Sequence, residues 1–145
     1  MSSVSINFNK LTHFRFNQKD IVIEYVGEKI RVPVANKREK YYEKLGVGDC
    51  YLFSLDTDNI IDATFYGNKA RYINHSCDPN LKSDKLVVDK ETHIIFMANR
   101  YIESGEELTF DYQFEYEGEA EKLECFCGSA ICKGRLNWTI FAINL

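Results

Sequence analysis

Proline and tryptophan are scarce in this chain, two and one in 145 residues, and there is no internal repeat, low-complexity tract or linker-like stretch. That leaves one domain, or one with a small appendage. Long apolar runs are missing too: none approaches the roughly 18 residues that a membrane helix needs. The opening MSSVSINFNK has no basic segment followed by an apolar one, so no signal peptide is expected. The N-x-S/T tripeptides at Asn74 and Asn137 are then idle as glycosylation acceptors. An excess of positive charge is also lacking, and a net charge of −4 argues against direct nucleic-acid binding. Phosphate-binding loops, a dinucleotide fingerprint, G-x-S-x-G and H-E-x-x-H are all absent. The histidines, His13, His75 and His93, are too scattered to form a metal cluster by themselves.

What is present suits a packed core. Hydrophobic residues make up 45% and aromatics 14%, and a chain of this size buries about 70% of its unfolded surface. Five cysteines are an odd number for a chain without export signals. They point to reduced thiols and a metal rather than to disulfides. Acid is unevenly spread: nine carboxylates lie between Glu103 and Glu124, with Lys122 as the only base. Such a stretch is either a solvated face or a field that attracts a basic peptide.

Turn signals recur about every ten residues and separate short β-prone segments. Ile21–Val26 reads as a strand that stops at Gly27. Pro33 punctuates, and Val34–Leu45 reads as a helix with Gly46 at its C-terminal end. Cys50–Leu55 and Ile60–Ala63 read as a hairpin around Asp56–Asn59. Phe65–Ile73 reads as a short helical turn. Leu86–Val88 and His93–Ala98 read as a second hairpin, Glu107–Phe110 as a further strand, and Glu117–Leu123 as one or two helical turns. The fold class is mainly β (α+β), built of several small sheets with minor helices.

Two stretches are dense in chemistry. In Arg71–Asn80 (RYINHSCDPN), Asn74, His75 and Ser76 offer donors and acceptors in a row, Cys77 is a soft metal ligand, and Asp78-Pro79-Asn80 forces a turn. Downstream, Phe110-Asp111-Tyr112 is followed by Cys125-x-Cys127-x4-Cys132. Three thiols beside Gly128 make a chelate loop, and structural zinc wants a fourth soft ligand. Cys77 is the leading candidate, with His75 and Cys50 as alternatives. Tyr25, Tyr51, Tyr72, Tyr101 and Tyr112 come from separate segments, and several of them lining one channel would suit an alkyl chain tipped by an amine.

GNKARYINHSCDPN, then GEELTFDY, then a C-x-C-x4-C tail resembles the SET-domain protein lysine methyltransferases with a post-SET zinc module. The resemblance runs from about Ile21 to Asn137. It implies an unusual β fold with a C-terminal pseudoknot, residues 1–116 forming the SET domain and 117–145 the zinc module and tail. It implies S-adenosyl-L-methionine as cofactor and one structural zinc on Cys77, Cys125, Cys127 and Cys132. Asn74 and His75 would hold the adenine side of the cofactor, largely through backbone groups, with Arg71, Tyr112 and Phe126 also on the cofactor. Tyr112 would be the active-site tyrosine and Tyr51 would line the lysine channel. Phe110 stands where the family has Phe or Tyr, and Phe leaves room for di- and trimethylation.

REKYYEKLGVGDCYLF and IIDATFYGN are similar to the trithorax/MLL class, which acts on histone H3 lysine 4. ELTFDYQF and CFCGSAICKG are similar to the NSD-type lysine-36 class. The implied substrate is a basic protein tail, that of histone H3 or the nucleosome, with a nuclear, chromosomal location and regulatory subunits among the partners. Two other readings stand beside this one. The family usually opens with a glycine-bearing loop, whereas Asn9–Asp20 contains no glycine, and no pre-SET cysteine cluster precedes the domain. Those departures motivate a catalytically weak or inactive SET-like module that binds histone tails. The other alternative is a methyltransferase for a non-histone protein.

Overall fold

The computed structural model describes residues 13–47, 50–114 and 123–137. The chain divides into two units. One comprises Lys19–Tyr72 and Ser83–Met97, the other Met1–Gln18, Ile73–Lys82 and Ala98–Leu145.

The first unit holds one three-stranded sheet and most of another. β1 (Ile21–Glu24) runs antiparallel to β7 (Glu91–Ala98), which also borders β6 (Leu81–Val88), so β7 is central. Its continuous apolar run explains that position: Ile94, Ile95 and Phe96 are all buried. The register slips between Ile21 and Ile23, a bulge that lets two residues of β1 face one of β7. β6 and β7 are joined through Asp89 and Lys90, both at positive φ (50° and 71°), the conformation of a tight two-residue hairpin turn.

In the second sheet β4 (Asn59–Asp62) lies between β2 (Glu28–Arg31) and β3 (Leu52–Ser54), antiparallel to both. The expected hairpin around Asp56–Asn59 is thus present. The Asp56 carboxylate closes it, accepting from the Asp58 and Asn59 N–H groups at 2.8 Å each. β2 was not expected. It has little strand character of its own, but all four residues pair with β4, so tertiary pairing decides its state.

Helix α1 (Val32–Lys44) starts before Pro33 rather than after it. Proline is well placed there, because first-turn N–H groups have no partner inside the helix. The helix ends as expected at Gly46, which sits at φ 67°. The Gly46 N–H donates to Glu43 O and the Val47 N–H to Tyr42 O, both at 3.0 Å, which satisfies carbonyls left open by the last turn. Ala35 and Tyr42 are its buried residues. The Tyr42 hydroxyl donates to Asp62 at 2.8 Å, and Arg38 bridges Asp62 (2.9 Å) and Glu28 (2.7 Å). Asp62 also accepts the Thr64 N–H at 3.0 Å. The expected helical turn is a 3-10 segment, η1 (Lys69–Tyr72). Gly67 has no room for a side chain: a Cβ would stand 2.8 Å from the Val26 oxygen.

The other unit is organised by a two-residue parallel pair, β5 (Asn74–His75) with β8 (Thr109–Phe110). Phe16 bridges Ile102, and Glu124 bridges Arg135. Its buried apolar residues include Ile73, Leu81, Ile102, Leu108 and Phe110. Asn80, read from sequence as part of a turn, is buried and holds three segments together. Its amide donates to Glu107 O (2.7 Å) and Glu106 (2.9 Å), its side-chain oxygen accepts the Thr109 N–H (2.9 Å), and its carbonyl accepts the Asn99 N–H (2.8 Å). The helical turns expected at Glu117–Leu123 and most of the segment after Leu136 lie outside the described residues.

Candidate active site and metal centre

The β5–β8 pair brings the two chemistry-rich stretches together. Asn74 faces Thr109 and His75 faces Phe110 in register. Tyr112, two residues beyond β8, is fixed at both ends. Its hydroxyl donates to Ile73 O at 3.0 Å, and its N–H donates to His75 Nδ1 at 3.1 Å. Its ring lies against His75 (centroids 5.3 Å, nearly perpendicular), Phe110 (4.8 Å) and Phe114 (5.3 Å). Phe110 itself is buried. The Asn74 amide donates to Glu107 at 2.7 Å, an internal partner that no local motif announces.

The His75 ring is nearly closed off from water, its side chain 4% exposed. Burial pushes its pKa below the usual imidazole range, Asp111 pulls it upward and Lys133 adds to the depression. The ring is therefore neutral near pH 7. Since Nδ1 accepts the Tyr112 N–H, the ring proton sits on Nε2. Nε2 is 3.4 Å from the Cys77 sulfur.

Cys77, Cys125, Cys127 and Cys132 form one cluster, with all four sulfurs within 4.8 Å of one another. Cys77 and Cys125 Sγ are 3.8 Å apart. Four sulfurs placed about 2.3 Å from a central zinc lie about 3.8 Å apart along the edges of the tetrahedron, so the set fits such an ion. Backbone donors already point at the sulfurs. The Lys133 N–H reaches Cys77 (3.4 Å), the Cys77 N–H reaches Cys127 (3.5 Å) and the Gly134 N–H reaches Cys132 (3.4 Å). The Cys77 N–H, with further donors, holds the Cys127 thiol below its usual range, whereas burial pushes the Cys77 and Cys125 thiols up. Of the three candidates for a fourth ligand, Cys77 is the one in the cluster; Cys50 lies in the other unit. Phe126, between two of the cysteines, is 85% exposed.

The remaining predicted residues belong to the first unit. Tyr51 and Tyr72 meet edge to face at 5.6 Å. Arg71 lies over the Tyr72 ring at 4.5 Å, donates to the Tyr72 hydroxyl, and donates to Ala63 O at 2.9 Å. Its guanidinium braces these two rings. Tyr25, a possible channel residue by sequence, is a core ring packed on Phe53 and Phe96, with its hydroxyl on Tyr51 O at 3.0 Å. In the glycine-free stretch, Phe16 exchanges hydrogen bonds with Ile102 (3.1 and 2.9 Å). Lys19 adopts φ 76°, a left-handed conformation that glycine would reach at lower cost.

Sequence comparison shows what the chain is similar to. The family model described as "SET domain" matches residues 12–113. A "Histone-lysine N-methyltransferase, H3 lysine-4 specific" of Emericella nidulans is 46% identical over 132 residues, which is 90% of this chain and 11% of that protein. "Histone-lysine N-methyltransferase set1" of Dictyostelium discoideum is 52% identical over 119 residues, 82% of this chain and 8% of that protein. A "Histone-lysine N-methyltransferase, H3 lysine-4 specific" of Saccharomyces cerevisiae is 51% identical over 120 residues, 82% of this chain and 11% of that protein. The chain thus spans about a tenth of the length of the curated relatives it matches.

Proposed function

The chain belongs to the SET domain family, and from that premise we propose that it is an S-adenosylmethionine-dependent protein-lysine N-methyltransferase acting on lysine 4 of histone H3. The relatives named by their target lysine favour lysine 4 over the lysine-36 class suggested by the tail motifs. The observation that carries the proposal is the parallel β5–β8 pair, which delivers Tyr112 to Ile73 and His75.

S-adenosylmethionine supplies a methyl group on a positively charged sulfur. The protein's task is to present a neutral amine in line with that bond and to hold it there, and orientation of this kind is worth several orders of magnitude. The Tyr112 hydroxyl gives its proton to Ile73 O, so its oxygen keeps lone pairs that accept from the amine. A hydroxyl fixed in advance costs no reorganisation when charge moves. Phe110, lacking a hydroxyl, leaves the amine room for two or three methyls. Tyr51, braced through Tyr72 and Arg71, supplies an aromatic wall for the lysine stem, which favours the neutral amine by excluding water. Backbone groups of Asn74 and His75 hold the adenine side, and the exposed Phe126 ring offers it a stacking face. Arg71 is a further cofactor residue in this reading. Cys77, Cys125, Cys127 and Cys132 hold a structural zinc, with the SET domain spanning 1–116 and the zinc module 117–145.

The acidic run from Glu103 to Glu124 suits a basic tail. Histone H3 as substrate places the protein in the nucleus, on the chromosome, with regulatory subunits as further partners. Mass spectrometry of histone H3 peptides covering lysine 4 and lysine 36, incubated with protein and cofactor, tests the proposal. Di- or trimethylation at lysine 4 supports it, and methylation confined to lysine 36 overturns the choice of site. A second reading, a tail-binding module without catalysis, rests on the glycine-free stretch and the left-handed Lys19. Calorimetry separates the two: no binding of S-adenosylmethionine at high concentration favours the module.

A further inference from the structure

We propose that Phe114 is a positioning residue for Tyr112, put in place by a left-handed turn at Gln113. Three rings stand in a row at every second residue. The centroids of Phe110 and Tyr112 are 4.8 Å apart, and those of Tyr112 and Phe114 5.3 Å. Both spacings are shorter than the roughly 6.6 Å between alternate residues of an extended strand, so the rings lean on one another.

The cause is local. The strand β8 ends at Phe110. The Asp111 carboxylate accepts the Gln113 N–H at 3.0 Å, the turn that an aspartate makes with the backbone two residues on. Gln113 takes φ 52°, a left-handed conformation that disfavours every residue with a Cβ. Conformations of this kind persist where the surroundings hold them. Here the turn brings the Phe114 ring back against Tyr112 instead of letting it follow the strand.

The other neighbours of Tyr112 leave Phe114 a distinct duty. The Tyr112 hydroxyl is tied to Ile73 O and its N–H to His75, and the buried Phe110 packs against the ring. A ring tied at its two ends can still tilt about the line that joins them, and tilting re-aims the lone pairs of the hydroxyl. Phe114 is 41% exposed, so it adds little to the core. A half-exposed ring against this tyrosine limits its tilt and keeps water from its face. The importance of Tyr112 rests on the methyltransferase reading, but its packing is tested without turnover.

The test uses the full chain with carbon-13 in its tyrosine rings. The Tyr112 signals are those that vanish in Tyr112→Phe. Phe114→Ala is expected to shift them and to speed flipping of the ring. It is expected to lower kcat about tenfold while KM for S-adenosylmethionine stays within about twofold of wild type. Its urea midpoint should stay close to wild type. Phe114→Tyr keeps a ring and should restore both spectrum and kcat. Gln113 separates the turn from the ring. Its side chain is exposed, so Gln113→Gly and Gln113→Val differ chiefly in backbone preference. Glycine adopts the left-handed conformation freely and should leave the Tyr112 signals in place. A β-branched valine resists it and should displace them as Phe114→Ala does. Tyr112 signals and kcat unmoved in Phe114→Ala overturn the proposal, as do identical Tyr112 spectra in the two Gln113 variants. A Phe114→Ala protein whose lost turnover is matched by lost stability makes the ring part of the fold, and also overturns it. A wild type that transfers no methyl, with these ring shifts intact, removes the methyltransferase reading and leaves the positioning of Tyr112 standing.

Discussion

Asp62 and His75 are both buried polar residues at the centre of a small network, yet the two networks are built to opposite ends. Around Asp62 the polar groups are partnered within the protein: Arg38 on the helix bridges Asp62 and Glu28 of β2, and the Tyr42 hydroxyl and the Thr64 N–H donate to Asp62 as well. Burial alone pushes the Asp62 carboxyl up, but those donors outweigh it and leave it below the usual range. His75 instead links the Tyr112 N–H on Nδ1 to Cys77 on Nε2, and Cys77 is one of four clustered thiols, three of which accept from the Lys133, Cys77 and Gly134 N–H groups; four thiolates suit a cation. A network that closes on itself holds a fold. One that closes only on an added ion ties the fold to a site.

Substitutions in the two places are expected to fail differently. Tyr112→Phe carries the largest expected effect. Turnover falls by about 100-fold or more, the scale of losing a preorganised polar group at the reacting centre, while calorimetry finds S-adenosylmethionine affinity nearly unchanged. Wild-type-like rates would remove Tyr112 from the mechanism. At the other network, Asp62→Asn is expected to cost about 2–3 kcal/mol in urea unfolding, because the amide cannot replace the charge facing Arg38 and Tyr42. Its kcat should stay close to wild type, and a large loss of turnover in a folded variant would erase the distinction drawn here.

The same residue gives a pH signature. Asp62 titrates lower folded than unfolded, so its contribution is full above the unfolded value of about 3.9 and fades as pH falls through the folded value. Asp62→Asn should therefore lose most of its deficit relative to wild type at the acid end of an unfolding series, and a constant deficit would argue against the assignment. The smallest expected change is one of product rather than rate. Phe110→Tyr should shift a methylation time course from di- and trimethyl toward monomethyl lysine, and an unchanged product distribution would show that this position does not limit methyl number.

Much of the site was legible because its chemistry is written in short motifs. Three cysteines within eight residues pointed to a thiol cluster, and Cys77, the leading of three candidates for its fourth member, is the one that joins it. The Asp56–Asn59 hairpin and the Gly46 helix end were legible too, since the groups that make them are local. What stayed hidden depends on pairing across the chain. β2 is a strand because β4 lies beside it. Asn80 reads as a turn residue until its partners at Glu106, Glu107 and Thr109 are seen. The side-chain role of His75 exists only in the register that sets it beside Phe110, and no spacing rule reveals a parallel pair two residues long.

Zinc analysis of the purified wild type beside Cys77→Ser reaches the centre of this account most directly. The clasp of one mid-chain and three C-terminal sulfurs predicts about one zinc per wild-type chain and a large loss of bound zinc in the variant, since a structural site needs all four ligands. A wild type without zinc, or a Cys77→Ser protein that retains it in full, would contradict it.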